Sequence, residues 1–488
     1  MSTEVLPITL ARSRRQAFLL MEWLADHPDP VKPEDLLPQL VALLRLALAP
    51  RQKLHLLESL FACLPGGAGL DASIARFVGT RIPLAGAAYR QVQTLLNLVD
   101  DFTQGFEQVS RDLPTNAGGD EIGLCLERIA FFLYKHLCAS YLVGRRPSIG
   151  IWQRLHHVCL QSRQVAQNAP LTHYVKALLL SCAQPASLNS SELAATVYYL
   201  QAREAGNLPL TETPPEDVEA AFWIPMQEDL RPFPLVRRQP PPGASVLYFS
   251  CATLMERARA DLAALEAGAT SACPLPLDPR NSRNLLRHLV LCWGHPKLRR
   301  FPRARKSCRG ALCAGLQNLH AVTRRPPSRS NESAVSHWMI TNESPEGYAL
   351  MFLRGDPGDV AVGNVVALQP DIWVSKVARP LVGLIRWATS ETTEHLEIGV
   401  QVLATNACAA VLTPAGIPGG EIPALLLPKG AMRDGPALIV SAGAIPDDAR
   451  DSMLATDGEP PRPVRLTTLR EQNRFVEIFS FSEHVRAS

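Results

Sequence analysis

Between Lys297 and Arg329 the chain carries a crowd of lysines and arginines with no acidic residue among them, although the formal net charge of all 488 residues is only +3. Its densest part is Arg299-Arg300-Phe301-Pro302-Arg303, in which Arg299 and Arg303 stand four apart. Arginine suits a nucleotide in two ways: its planar fork pairs bidentately with a phosphate or with the O6/N7 edge of guanine, and its flat face stacks on a base. Two such groups on one arm can wrap a compact ligand from one side. A second polar cluster follows at Asn342-Glu343-Ser344-Pro345-Glu346-Gly347. Asn342 and Ser344 are short groups suited to a base edge or to nearby backbone, and Gly347 permits a positive φ or the close approach of a ligand. Together the clusters read as the clamp and the floor of an anion site.

Such residues need ordered elements to hold them. From about Arg12 to Gly206 apolar residues recur at helical spacing between short Pro, Gly and Asn breaks, which predicts an all-helical domain over residues 1–210. Lys32-Pro33-Glu34-Asp35 opens one helix, with proline and carboxylates where a first turn favours them. Further helices are expected near Arg14–Ala25, Gln52–Cys63, Ala85–Arg111, Glu121–Leu142, Ile149–Ser162, Thr172–Cys182 and Ser190–Ala205, packed as antiparallel hairpins in a bundle or short solenoid. Of the adjacent His156 and His157, one is expected near the core and the other in solvent, because neighbours on a helix face different ways.

After residue 206 the composition changes. Pro214-Pro215, Arg231-Pro-Phe-Pro234 and Pro240-Pro-Pro-Gly243 mark residues 211–296 as a proline-rich linker with connecting helices near Thr253–Leu265 and Ser282–Cys292. Beyond it the period shifts toward alternation. Short strands are expected at Ala311–His320, His337–Ile340, Tyr348–Leu353, Val365–Gln369, Leu381–Arg386, Leu396–Leu403, Ala424–Leu427, Ala437–Val440, Val464–Thr467 and Phe475–Phe479. Many short antiparallel strands at this spacing favour a barrel, with a second small β unit after it. Trp387 ends an apolar run and is expected in the barrel core.

The order of the two polar clusters, an RxxxR string and then [D/N]xSxxG, followed by Leu381-Val-Gly383-Leu-Ile-Arg386-Trp387 and Glu397-Ile-Gly399-Val400, resembles the PilZ family over roughly Lys297 to Leu403. The resemblance implies a PilZ-like antiparallel β-barrel over 297–410; with the helical and alternating periods on either side of it, the expected fold is an α+β multidomain chain, an all-helical N-terminal bundle or short solenoid followed by that barrel and a small C-terminal β unit over 411–488. The resemblance also implies a non-enzymatic bacterial receptor for cyclic di-GMP, with Arg299, Arg300, Arg303, Asn342, Ser344 and Gly347 at the ligand; an unknown protein partner is then expected at the helical domain. Arg-Arg-Phe-Pro-Arg is the family-like string. The same four-residue spacing recurs at Arg305/Arg309, the alternative pair, and at Arg325/Arg329. The distance from Arg303 to Asn342 exceeds what the family needs and points to an inserted loop at Thr323–Glu332. The competing function is a scaffold whose degenerate barrel binds protein instead of nucleotide.

Other classes fit less well. Hydrophobic residues make up 47%, yet no run approaches the roughly 18 apolar residues of a membrane span, and the start of the chain lacks a secretion signal, so a cytoplasmic chain with no membrane span is expected. The 11 cysteines include no CxxC pair, and Cys308 with Cys313 has no second half, so neither metal nor cofactor is expected. Nucleic acid is not expected as a partner, because no aromatic-rich strand pair accompanies the arginines to stack bases. An enzyme is disfavoured: Walker A, GxSxG, HExxH and dinucleotide signatures are absent from the sequence.

Overall fold

Prolines and leucines build the first half. In the computed structural model, which describes residues 5–27, 31–64, 68–114, 119–165, 168–269, 273–296, 300–324, 335–371, 380–415, 420–429, 435–446 and 450–483, nine α-helices precede the first strand among the described residues. They are α1 (Val5–Asp26), α2 (Pro33–Leu44), α3 (Pro50–Cys63), α4 (Ala68–Ala75), α5 (Gly86–Asp112), α6 (Gly119–Leu142), α7 (Ile151–Gln164), α8 (Ala169–Cys182) and α9 (Ser190–Ala202). Pro33 and Pro50 open α2 and α3, where a missing N–H costs nothing. A capping box closes the start of α9: Asn189 accepts from the Glu192 N–H, and the Asn189 N–H donates to the Glu192 carboxylate.

Along α5, Val92, Leu95, Val99, Phe102, Phe106 and Val109 form one buried stripe. That stripe meets α6, a helix buried on almost every side from Cys125 to Leu142, and Phe102 stacks on Phe132 with ring centroids 4.7 Å apart. His156 is buried and His157 exposed, as their adjacency predicts. The His156 ring nitrogens lie 2.8 Å from the Tyr174 hydroxyl and 3.0 Å from the Leu230 carbonyl.

Residues 221–250, read from sequence as extended linker, contain a three-stranded antiparallel sheet of β1 (Ala221–Pro225), β2 (Phe233–Pro234) and β3 (Val246–Ser250), ordered β2-β1-β3. The prolines sit at strand ends or on the short outer strand, where a missing N–H breaks no central ladder. The apolar runs Ala-Phe-Trp-Ile and Val-Leu-Tyr-Phe carry the pairing. Two more helices follow, α10 (Ala252–Glu266) and α11 (Pro279–Gly294).

The second compact unit is β-rich. Six strands, β4 (Ala304–Ala314), β5 (Val335–Ser344), β6 (Gly347–Arg354), β7 (Val365–Pro370), β8 (Leu381–Thr389) and β9 (Glu397–Ala404), close in the order β4-β5-β6-β9-β8-β7. Six more, β10 (Cys408–Pro414), β11 (Ile422–Leu427), β12 (Ala437–Ser441), β13 (Asp451–Thr456), β14 (Glu459–Gln472) and β15 (Val476–Glu483), close in the order β10-β11-β12-β15-β14-β13. The wiring is the same in both, two three-stranded meanders shut against each other, so the small C-terminal β unit is itself a complete barrel.

Between β4 and β5 runs α12 (Leu316–Arg324), where the sequence predicts a strand through His320. Gly315, at φ +90°, ends the strand, and Leu316 and Leu319 then recur at helical spacing to reach the core. Of the expected insertion at Thr323–Glu332, Thr323 and Arg324 are the last residues of this helix and the rest lies outside the described residues.

Period-2 alternation explains the apolar runs. In β7, Val366 and Leu368 fill the first barrel, while Val365 and Ala367 face outward into an apolar seam. The second barrel answers with Leu425 and Leu427 of β11, Ala437 and Ile439 of β12, and Val476 and Ile478 of β15. Arg386 bridges the two barrels, its Nη2 lying 2.8 Å from a Glu471 oxygen, and its Nε donates to Gln401 at 2.6 Å. Trp387 corrects the expectation of a core residue. It is only half-buried, and its indole lies against the Gly399 backbone, because the β8–β9 register shifts between Ile385 and Trp387.

Candidate functional site

The basic stretch is built into a strand. In β4 the first half, Ala304 to Arg309, is exposed apart from the half-buried Cys308, whereas Gly310 to Ala314 turns toward the core. β5 accompanies β4 from Ala304 to Cys313, but β7 runs beside it only from Gly310 to Ala314. Arg305 and Lys306 therefore stand where the strand is paired along one side, with a register shift between Arg305 and Cys308, whereas the Arg309 carbonyl also accepts from the Asp371 N–H at 2.9 Å. Of the arm that the sequence places ahead of the first strand, Arg300 and Arg303 precede β4, and only the alternative pair Arg305 and Arg309 stands in the ladder.

The second cluster straddles the β5–β6 hairpin. Ser344 pairs with Gly347 across the two-residue turn Pro345-Glu346, and its hydroxyl donates to the Gly347 carbonyl at 3.3 Å. The Glu346 carbonyl accepts from the Val402 N–H at 2.9 Å, which ties the turn to β9. Gly347 has no left-handed backbone. It is needed for another reason: a Cβ there would sit 2.1 Å from the Val400 carbonyl oxygen, so only glycine lets β6 come this close to β9.

Where the start of β4 meets this hairpin, a groove of about 480 Å³ opens, within the usual size range of small-molecule sites. Pro302 and Arg303 line it together with Glu343 and Ser344, while Tyr348, Leu381 and Val402 add apolar surface. The Lys306 ammonium lies 3.2 Å from a Glu343 carboxylate oxygen. Burial, reinforced by the Glu343 carboxylate and then by Cys308, pushes the Tyr348 phenol above its ordinary range and keeps it a neutral donor. Burial likewise raises the Cys308 thiol, opposed by Lys306 and aided by Glu343 and Asp371.

Of the residues singled out from sequence, Arg303 and Ser344 come together in this groove. Asn342 stands in β5 opposite Arg305 and is not among the lining residues. Arg300 is exposed but does not line the groove. Arg299 lies outside the described residues, and of the alternative pair Arg305 faces Asn342 and Arg309 faces Met339 across the ladder. Sequence reasoning missed Glu343, Tyr348, Leu381 and Val402 as lining groups. Two of them had a signal, Glu343 by its place between Asn342 and Ser344 and Leu381 by opening the family-like string that ends at Trp387. Among the described residues no group of His, Cys, Asp and Glu side chains is arranged to hold a metal, and no helix is long and apolar enough to cross a membrane.

Residues 20–213 match the family described as the N-terminal domain of the cyclic-di-GMP receptor FimW. The match falls on the helical half, which the motifs left without a family, and the two closed barrels that follow fit a PilZ-like fold. No curated protein and no solved structure matches the chain.

Proposed function

We propose that this chain is a non-enzymatic receptor for cyclic di-GMP, that the nucleotide binds at the groove where the first barrel begins, and that the helical half passes the bound state to a protein partner. The observation that carries the reading is the meeting of Arg303 and Ser344, drawn from two motifs far apart in sequence, in one groove of nucleotide-site size. Arg299, Arg300 and Arg303 supply phosphate and guanine contacts from the entry segment. Asn342, Ser344 and Gly347 shape the hairpin beneath them. The match of residues 20–213 to a cyclic-di-GMP receptor family supports the ligand from an independent part of the chain.

The test is calorimetric titration of the full chain with cyclic di-GMP, with GTP and GMP as controls. Selective binding is expected, together with a rise in melting temperature, since a ligand at 100 times its Kd adds about 2.7 kcal/mol to stability. Arg303→Ala is expected to weaken binding by about 1–3 kcal/mol, roughly five- to 150-fold. Its melting temperature without ligand should stay within about two degrees of wild type, because the side chain is exposed. Failure of the wild type to bind at high micromolar nucleotide would replace the receptor with the scaffold.

A further inference from the structure

A carboxylate is an odd group to find in a site for a ligand carrying two phosphates. Glu343 nonetheless lines the groove beside Arg303 and Ser344, and Lys306 holds one of its oxygens at 3.2 Å. Facing a phosphate it would repel; facing a base edge that offers only donors it would attract. Guanine has such an edge, with N1–H and N2–H side by side at the spacing of the two oxygens of a carboxylate. Adenine has no N1–H, and its N1 lone pair would meet the carboxylate with like charge.

The fold also decides which residue reaches the groove. The β5–β6 register shifts between Ile340 and Asn342, and it is Glu343 that lines the cavity, while Asn342 stands opposite Arg305. The phenol of Tyr348, raised in part by the field of this same carboxylate, lines the groove as well. We infer that Glu343 is the guanine-selecting residue of the groove, accepting N1–H and N2–H of one base, an assignment that rests on the receptor reading above.

The experiment compares three ligands on the full chain by calorimetry: cyclic di-GMP, its inosine counterpart that lacks the N2 amine, and cyclic di-AMP. The wild type is expected to favour guanine over inosine by about tenfold and over adenine by about 100-fold or more, the cost of leaving charged or polar partners unmet. In Glu343→Ala the guanine and inosine ligands are expected to bind within about twofold of each other, with cyclic di-GMP weakened most. Should that variant fold poorly, the isosteric Glu343→Gln, which exchanges an acceptor oxygen for a donor, is expected to lower the same ratio. Two results overturn the assignment while leaving the receptor intact: a guanine-to-inosine ratio unchanged in both variants, or a tightening of all three ligands in Glu343→Ala, which would turn the carboxylate toward phosphate. Absence of binding by the wild type removes the receptor reading and this inference with it.

Discussion

A methyl group at position 347 would meet the Val400 carbonyl oxygen at 2.1 Å, and the obstacle is backbone that no rotamer change can move. Gly347→Ala is therefore expected to destabilise the first barrel by about 1–3 kcal/mol or more and to weaken nucleotide binding through the displaced hairpin. Gly435→Ala, where a Cβ meets nothing within 4 Å, is the control and should leave urea unfolding unchanged. Equal midpoints for the two variants would show that the strands can part without cost. This glycine was visible in the sequence as part of a turn motif, but for a reason that proved different: it serves strand approach, not a left-handed turn. Of the groove's lining, Arg303 and Ser344 stood out in the sequence because their types suit a nucleotide. Glu343 was not, since a carboxylate between two polar neighbours reads as a solvated turn until a register shift puts it in the groove.

Helix α7 begins on a borrowed cap. In its first turn the N–H groups of Trp152 and Gln153 donate to one oxygen of the Asp229 carboxylate at 2.9 and 3.2 Å, and the Gly150 N–H donates to its other oxygen at 2.5 Å. One residue on, the Leu230 carbonyl meets His156. Burial pushes His156 down to about 4 against the opposing pull of the Leu230 carbonyl and Asp229, and His173 falls to about 4 for the same first reason, with Lys176 and Lys135 adding to it. Both are neutral when folded at neutral pH. An unfolded chain takes up their protons through the ordinary histidine range while the folded chain does not, so stability is complete above that range and falls as the pH drops toward 4. His156 alone should cost roughly 3 kcal/mol across that span. Melting temperatures between pH 7 and pH 4.5 should therefore slope downward, and His156→Gln should flatten part of the slope; an equal slope in the variant would locate the effect elsewhere. The helices were legible from period and caps, and so was the contrast between His156 and His157. The sheet β1–β3 was hidden because prolines at strand ends outweighed two short apolar runs.

At the scale of the whole β-rich unit, the signal lay in runs that are apolar at every position, such as Ala424–Leu427 and Ala437–Val440. A strand with one wet face alternates; these do not, because one face fills a barrel and the other fills the seam. The sequence counted enough strands for one barrel and a remnant, missing β10 and β13, whose residues alternate weakly. A chain ending at Thr405 would expose Val365, Ala367, Val382 and Leu384 to water, so it is expected to be poorly soluble and to bind hydrophobic dyes, unlike the full chain. Clean solubility of the shortened chain would show that the seam is dispensable. Every ladder of the first barrel is completed by its own strands, so on the ribosome it can close before the second has been made. Its seam cannot. At about 5–20 residues per second, synthesis of the second barrel takes on the order of 4–16 s, and for that interval a nascent chain with a finished barrel still shows the cell a sticky face.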